Sequence, residues 1–391
     1  MAYSPYTWQD NPSGGTPITA ARLNAIEQGI YNAAATADAG QTVYDYLNVK
    51  MVGAKGDGTT DDTTAIDSAF TSARPSAVYF PPGNYIYNGN GWSGSRPWII
   101  GAGQTQTQIT LGSSSYLINY GYNPSATWLS GVKVQGGLGA IYYSNTSQSN
   151  SEYHTVRDCY FSGYANTAIM DQSTDMPNWT IENNIFYGAN DTTTMGIALG
   201  DLHNGSLISH NEFRRNRVGI KLRNGQDIYV INNAFERWNV QGSQPRTDVW
   251  LVPYSSYSNA HTGFTMRDNK LGNEFMAAGD YRILIADELT GSDISQMWPN
   301  LTSNSGGNVR SARFDNMLYN TDGTNTPYIY STANALLRNY ITYDDGFTTA
   351  PTYYVQYRTA PATEQGNVYK RSSTQNTVLF SNATTITNLA A

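Results

Sequence analysis

Charge is scarce in this chain of 391 residues: Asp, Glu, Lys and Arg make up 14% of it, against roughly 25% in an ordinary soluble domain. What charge there is leans acidic, with a net −7 and a pI near 5.1. That balance argues against nucleic acid and anionic membranes as partners, because both call for basic patches. A single cysteine, Cys159, excludes an intrachain disulfide and any multi-cysteine zinc site. The four histidines, His154, His203, His210 and His261, show no ligand spacing such as His-Glu-x-x-His, so no metal is expected. No nucleotide-binding pattern follows Gly101-Ala-Gly103, and no cofactor is expected either. No run approaches the roughly 20 apolar residues of a membrane span, and membrane insertion is not expected. Met1 to Asp10 lacks a basic region followed by an apolar stretch, so export by the usual signal route is not expected.

What is abundant is turn and strand chemistry: 36 Gly and 30 Tyr, with many Asn, Ser and Thr. This reads as a β protein punctuated by Gly and Asn. One element recurs as an apolar residue, two spacers, Asn or a small residue, one spacer and an aromatic. Its copies are Val156 to Phe161, Ile181 to Phe186, Ile208 to Phe213 and Val230 to Phe235, with a weaker copy from Met266 to Leu271. Their starts are 25, 27, 22 and 36 residues apart. A second element drifts in parallel: Ala168-Ile169-Met170, Gly196-Ile197-Ala198 and Gly219-Ile220-Lys221. Two strands per repeat keep their order while the loops between them vary.

Repeats of this length fit a coil of parallel strands, in which each turn buries its apolar residues against the next. The turn asparagines are expected to stack as a ladder, each amide bonding the next. An antiparallel two-sheet sandwich is the other reading, and it requires hairpins every 8–12 residues that the spacing does not supply. The step of 36 implies extra residues around Gln241 to His261, projecting from the coil.

The stretch before the repeats, "VGAKGDGTTDDTTAIDSAF" followed by "AVYFPPGNY", carries one helix and one strand. Asp61 and Asp62 are N-cap residues for a helix reaching about Ser72, with Ala65, Ile66, Ala69 and Phe70 as its apolar stripe. Ala77 to Phe80 is a strand stopped by Pro81-Pro82-Gly83, where Gly83 suits a type II turn. A solenoid needs a lid over its open end, and this helix is expected to supply it. The same residues resemble the start of the pectate-lyase-like right-handed parallel β-helix proteins, a group that includes many bacteriophage tailspikes. The resemblance implies an all-β, right-handed parallel β-helix over residues 48–324. It says little about reaction, since lyases, hydrolases and plain binders share the fold.

Residues 1–47 resemble the start of phage tail and receptor-contact proteins. Thr16 is an N-cap, Pro17 sits at the first helical position, and Leu23, Ile26, Ile30, Ala33 and Ala37 form an a/d heptad seam. The alternatives are a helix docked on the chain's own coil and a trimeric stalk that joins phage tail or baseplate proteins. Residues 325–391 hold Thr-, Tyr- and Asn-rich strand-like stretches and are read as a small β region, a trimer cap.

Polysaccharide cleavage on this fold needs carboxylates or bases held on adjacent coils. Asp171 and Asp201 follow the Ile169 and Ile197 strands at similar points, and Arg223 follows the Ile220 strand. Together they could bracket a glycosidic bond and hold a sugar acid or hydroxyl. The competing reading makes both aspartates turn residues. Trp179, Trp238 and Trp250 offer indole faces for sugar rings, or pack in the core or between subunits. Asn320-Thr-Asp-Gly323 and Asp344-Asp345 resemble the first two polygalacturonase motifs, but the third and fourth are missing. The resulting expectation is a trimeric tailspike on the virion that binds and depolymerises a host cell-surface polysaccharide as hydrolase or lyase. A non-catalytic receptor-binding tail protein and a free polysaccharide lyase are the alternatives.

Overall fold

The computed structural model describes residues 23–30, 46–72, 77–94, 97–121, 126–144, 153–172, 178–189, 193–200, 203–223, 225–236, 246–252, 263–271 and 281–285. It also describes strands Asn308–Asp315, Leu318–Tyr319, Ile329–Ser331, Asn334–Asn339, Val355–Tyr357, Asn367–Arg371 and Asn376–Ser381. The chain winds as an all-β parallel solenoid with three faces. One coil runs Tyr153–Arg157 in sheet A, Tyr160–Ser162 in sheet B and Thr167–Asp171 in sheet C, and returns to sheet A with Asn178–Glu182. Each strand bonds in parallel to the strand one coil away, so the described residues build sheets of eleven, ten and nine strands. The strands beyond residue 324 that belong to these sheets are Ile329–Ser331, Asn334–Asn339 and Val355–Tyr357. An antiparallel pair, Asn367–Arg371 with Asn376–Ser381, follows them.

Each coil has three strands where the sequence repeats suggested two. The element from Val156 to Phe161 is the end of a sheet A strand, a two-residue bend and a sheet B strand. The bend is tight because its first residue takes a left-handed conformation: φ is 54° at Asp158, 58° at Asn183, 55° at His210, 56° at Asn232 and 56° at Asp268. Asp, Asn and His are the side chains that tolerate this region best, which explains their recurrence. The second bend residue turns inward and builds the expected ladder. Asn184 Nδ2 donates to Asn211 Oδ1, Asn211 Nδ2 to Asn233 Oδ1, and Asn233 Nδ2 to Asn269 Oδ1, each at 3.0 Å. Each amide also donates to a strand carbonyl on the preceding coil, so the buried bends are satisfied.

The core is a set of rows, one residue per coil. Sheet A contributes Leu129, Val156, Ile181, Ile208, Val230 and Met266, and sheet C contributes Ile141, Ile169, Ile197, Ile220 and Val249. In sheet B, Phe161, Phe186, Phe213 and Phe235 stack with ring centroids 5.0, 4.9 and 4.9 Å apart. That interval is the spacing of the strands themselves.

At the first coil, helix Thr63–Thr71 buries Ile66, Ala69 and Phe70 against this core, with Ala65 partly buried. Phe70 stacks on Trp92 at 4.9 Å, and the Tyr87 hydroxyl donates to Asp67 at 2.8 Å. Two local expectations need correction. Asp62 holds the N-cap position without capping: its carboxylate accepts from the backbone N–H groups of Lys55 and Gly56, while Asp61 accepts from Thr63 N. Gly83 makes no type II turn but opens strand Gly83–Tyr87, and it must be glycine because a Cβ there would meet the Gly56 carbonyl oxygen at 2.7 Å. The stretch from Gln241 to His261 is likewise not all insertion. Strand Thr247–Val252 lies within it as the next member of sheet C, its Val249 in register with Ile220.

Candidate functional site

Sheet C decides where the predicted residues go. Its register aligns Tyr143, Asp171, Leu199, Leu222 and Leu251 in one row. This row faces the interior: Tyr143, Leu199, Leu222 and Leu251 all belong to the core, and Asp171 is buried with them. The Trp179 indole Nε1 donates to Asp171 Oδ2 at 2.9 Å, and the indole ring stacks on His154 at 4.5 Å. Tyr143 packs 5.5 Å from His154 and 5.8 Å from Trp179, and its hydroxyl is hydrogen-bonded to Thr127. Burial, with the Asp171 charge adding to it, pushes the Tyr143 phenol well above its ordinary range. Asp171 and Trp179 thus form part of an interior polar knot between the end of sheet C and the start of sheet A. There the carboxylate anchors an indole.

Arg223 sits one position beyond that row, since Leu222 is the residue aligned with Asp171 through Leu199. A one-residue offset in a strand places a side chain on the opposite face, so Arg223 and Asp171 do not converge. Asp201 and Trp238 lie outside the described residues, as do Asn320 to Gly323 and Asp344-Asp345.

The outward row of sheet C is Tyr142, Met170, Ala198, Lys221 and Trp250. From Met170 to Trp250 this row is buried as well. Lys221 Nζ lies 4.5 Å from the Trp250 ring centroid, so an ammonium already occupies that indole face. Alternation puts Arg223 on this outward side, at the partly buried end of its strand.

The outward faces of sheets B and A are more open. On sheet B, Arg214 Nε reaches Glu236 Oε2 at 3.2 Å and the guanidinium also pairs with Glu212. Lys133 lies over Tyr160 at 5.4 Å and Arg215 over Tyr187 at 5.6 Å. On sheet A one outward row reads Trp98, Trp128, Thr155, Thr180, Leu207, Tyr229 and Thr265. Beside it stand Tyr153, 64% exposed, and Arg157, whose guanidinium lies over Trp128 at 4.9 Å; Tyr229 itself is 43% exposed. None of these outward residues was singled out from the sequence. The signal that finds them is alternation: Val156 and Val230 are inward core residues, so Tyr153, Thr155, Arg157, Tyr229 and Ile231 fall on the outer face.

Among the described residues no group of three or more His, Cys, Asp or Glu is placed to hold a metal ion. No helix among them is long and apolar enough to cross a membrane.

A family described as rhamnogalacturonase A/epimerase, pectate lyase-like, matches residues 46–265, more than half of the chain. The chain belongs to this family. A stretch of 74 residues is 42% identical to alginate lyase 7 of Azotobacter vinelandii, covering 16% of this chain and 9% of that one. Another of 53 residues is 45% identical to a probable glucan endo-1,3-beta-glucosidase of Arthroderma benhamiae, covering 10% and 6%. The matches thus span less than a tenth of either relative. Among solved structures, an alginate lyase from Paenibacillus sp. str. FPU-7 superposes with a TM-score of 0.46 at 13% identity, over 71% of this chain and 93% of that one. The N-terminal fragment of bacteriophage Phi29 gene product 12 does so with a TM-score of 0.34 at 14% identity, over 77% and 68%. At these identities the likeness is one of fold.

Proposed function

We propose that this protein binds and depolymerises a bacterial surface polysaccharide as the β-helical part of a phage tailspike. The observation that carries the polysaccharide reading is membership of the rhamnogalacturonase A/epimerase, pectate-lyase-like family across residues 46–265. The virion role rests on the resemblance of residues 1–47 to phage tail proteins. It is supported by the helix at 23–30, where the seam residues Ile26 and Ile30 are 57% and 47% exposed in a single chain. Apolar residues left uncovered at heptad spacing suit a coiled coil of several copies, here three. In this reading residues 1–47 attach to the tail, the coil from residue 48 recognises the glycan, and the region of the antiparallel pair Asn367–Arg371 and Asn376–Ser381, beyond the coil's last strand Val355–Tyr357, closes the trimer.

Cleavage is assigned to Asp201, which follows the sheet C strand Met195–Leu199 in the sequence; Asp171, the other carboxylate of the pair, holds Trp179. The test is incubation with candidate surface glycans, scoring new reducing ends for a hydrolase and ultraviolet absorbance of an unsaturated uronate for a lyase. Asp201→Asn should lower cleavage at least about 100-fold, the scale of a lost general acid or base, with binding retained. Light scattering should give about three chain masses, and a monomer of the full chain would remove the trimer. A binding-only tail protein is the second reading, favoured by the interior placement of Asp171. It is the outcome if the parent binds glycan and releases no ends.

A further inference from the structure

The three outward faces of the coil differ in what they leave available. On sheet C the row from Met170 to Trp250 is withdrawn from solvent. On sheet B and its edge several charged side chains are engaged with their neighbours: Arg214 with Glu212 and Glu236, Lys133 over Tyr160, Arg215 over Tyr187. Among the residues whose side chains are described, sheet A alone presents exposed aromatic side chains, Tyr153 and Tyr229, and neither ring stacks on another aromatic. Between them on the same face lie Thr155 and Thr180, half-buried, in register on neighbouring strands. Their hydroxyls make no side-chain hydrogen bond among the described residues.

We infer that the outward face of sheet A, from Trp98 to Tyr229, is a binding strip for an extended polysaccharide. Sugar rings carry apolar faces that lie on aromatic rings and hydroxyl edges that exchange hydrogen bonds with threonine and arginine. Sheet A supplies both kinds of partner, with Trp98 and Trp128 on one side of Thr155 and Thr180 and Tyr229 on the other. The strands recur at about 4.8 Å, so the strip from the Trp98 strand to the Tyr229 strand, five steps away, runs about 24 Å along the coil. That length accommodates several sugar residues on a backbone too regular to deform. A second protein chain fits the face less well. Arg157, Glu182 and Arg267 run along one row of it, and the cores of protein interfaces are depleted in charge. Arg157 is engaged as well, its guanidinium over one face of Trp128 at 4.9 Å and its Nε 3.7 Å from Asp158 Oδ2, so it offers a sugar hydroxyl only its remaining N–H groups, and the open rings of the strip are Tyr153 and Tyr229.

This inference rests on the polysaccharide reading and adds a holding surface for the polymer on sheet A, with no use of the cleavage assigned to Asp201. The test is affinity electrophoresis of the full chain through gels cast with alginate, a β-1,3-glucan or rhamnogalacturonan, for the parent and for Tyr153→Ala combined with Tyr229→Ala. Both tyrosines are exposed, so the fold should persist, and far-ultraviolet circular dichroism checks it. Thr180→Arg, which places a bulky cation in the middle of the strip, is the second variant. The inference expects retardation of the parent in at least one gel. It also expects about tenfold weaker binding, or about 1.4 kcal/mol, in both variants at unchanged molecular mass. Parent-like retardation of both variants would overturn the strip while leaving the polysaccharide reading intact. A parent that runs unretarded in all three gels would overturn both. A variant that falls to a smaller mass by light scattering would make the face a contact between copies, and the strip would again be refuted.

Discussion

Asn211→Ala should be among the most damaging substitutions of a small side chain in this protein. The amide makes four hydrogen bonds in a buried bend: its Oδ1 accepts from Asn184 N and Asn184 Nδ2, both at 3.0 Å, and its Nδ2 donates to Ile181 O at 2.8 Å and Asn233 Oδ1 at 3.0 Å. Not all of these losses are equal. Asn184 Nδ2 keeps Val156 O, and Asn233 Oδ1 keeps Asn211 N, but Asn184 N loses the acceptor it had. A buried donor left unpaired costs about 1–3 kcal/mol and each further net bond about 0.5–1.5, so the variant should lose about 3–5 kcal/mol. At a few degrees per kcal/mol, the melting temperature should fall by on the order of 10 °C. Asn183→Gly is the comparison. It removes a solvent-facing bond to Asp158 but keeps the positive φ, and it should stay within about 1 kcal/mol of the parent.

Asn211→Asp separates hydrogen bonding from shape. A carboxylate would set one oxygen against two acceptors, Ile181 O and Asn233 Oδ1, and only its protonated form can donate there. Its folded pKa should therefore rise above the unfolded value of about 3.9, so the variant is closest to the parent below about pH 4 and falls behind as pH rises. Thermal melts followed by circular dichroism, with parent and variant paired at each pH, read both effects. Should Asn211→Ala melt with Asn183→Gly, or Asn211→Asp show no relative loss between pH 4 and pH 8, the ladder does not hold the bends as argued.

The remaining expectations concern the polar knot and the thiol. Asp171→Asn keeps an acceptor for Trp179 but brings an amide NH2 into a buried site, so it should destabilise by about 1–3 kcal/mol and leave glycan binding unchanged. A loss of cleavage at unchanged melting temperature would instead make Asp171 catalytic. Burial pushes the Cys159 thiol up to about 12, so iodoacetamide at pH 8 should leave the native protein unmodified and label one site per chain after denaturation. Rapid labelling of the native chain would contradict the interior placement.

The fold was legible because it repeats. A bend that demands positive φ selects Asn, Asp or His at Asp158, Asn183, His210, Asn232 and Asp268, and the next position selects an amide that can bond both neighbours. The aromatic two positions later marks the stacked row. Those constraints are local, so they leave a pattern in one dimension. The third strand of each coil was harder to see, because a two-residue bend merges two strands into one motif. Val249 in place of Ile hid the next sheet C strand inside what read as an insertion.

The candidate site was less legible, and Asp171 and Arg223 show why. By position each follows a repeated strand, and the sequence places them at comparable points of successive coils. Which face each side chain takes depends on register to the residue, and register is set by pairing with strands 20 to 30 residues away. Asp171 falls in the row of Leu199 and Leu222 and turns inward, while Arg223, one position further, turns out. The sequence by itself therefore determined the coil, its ladder, its lid helix and its family. The tertiary structure decided which polar residues lie inside it, that Trp179 and Trp250 already have partners, and that sheet A carries the exposed aromatic face. Repetition is written in local conformational preference, whereas the inside and outside of a strand differ by a single residue of register.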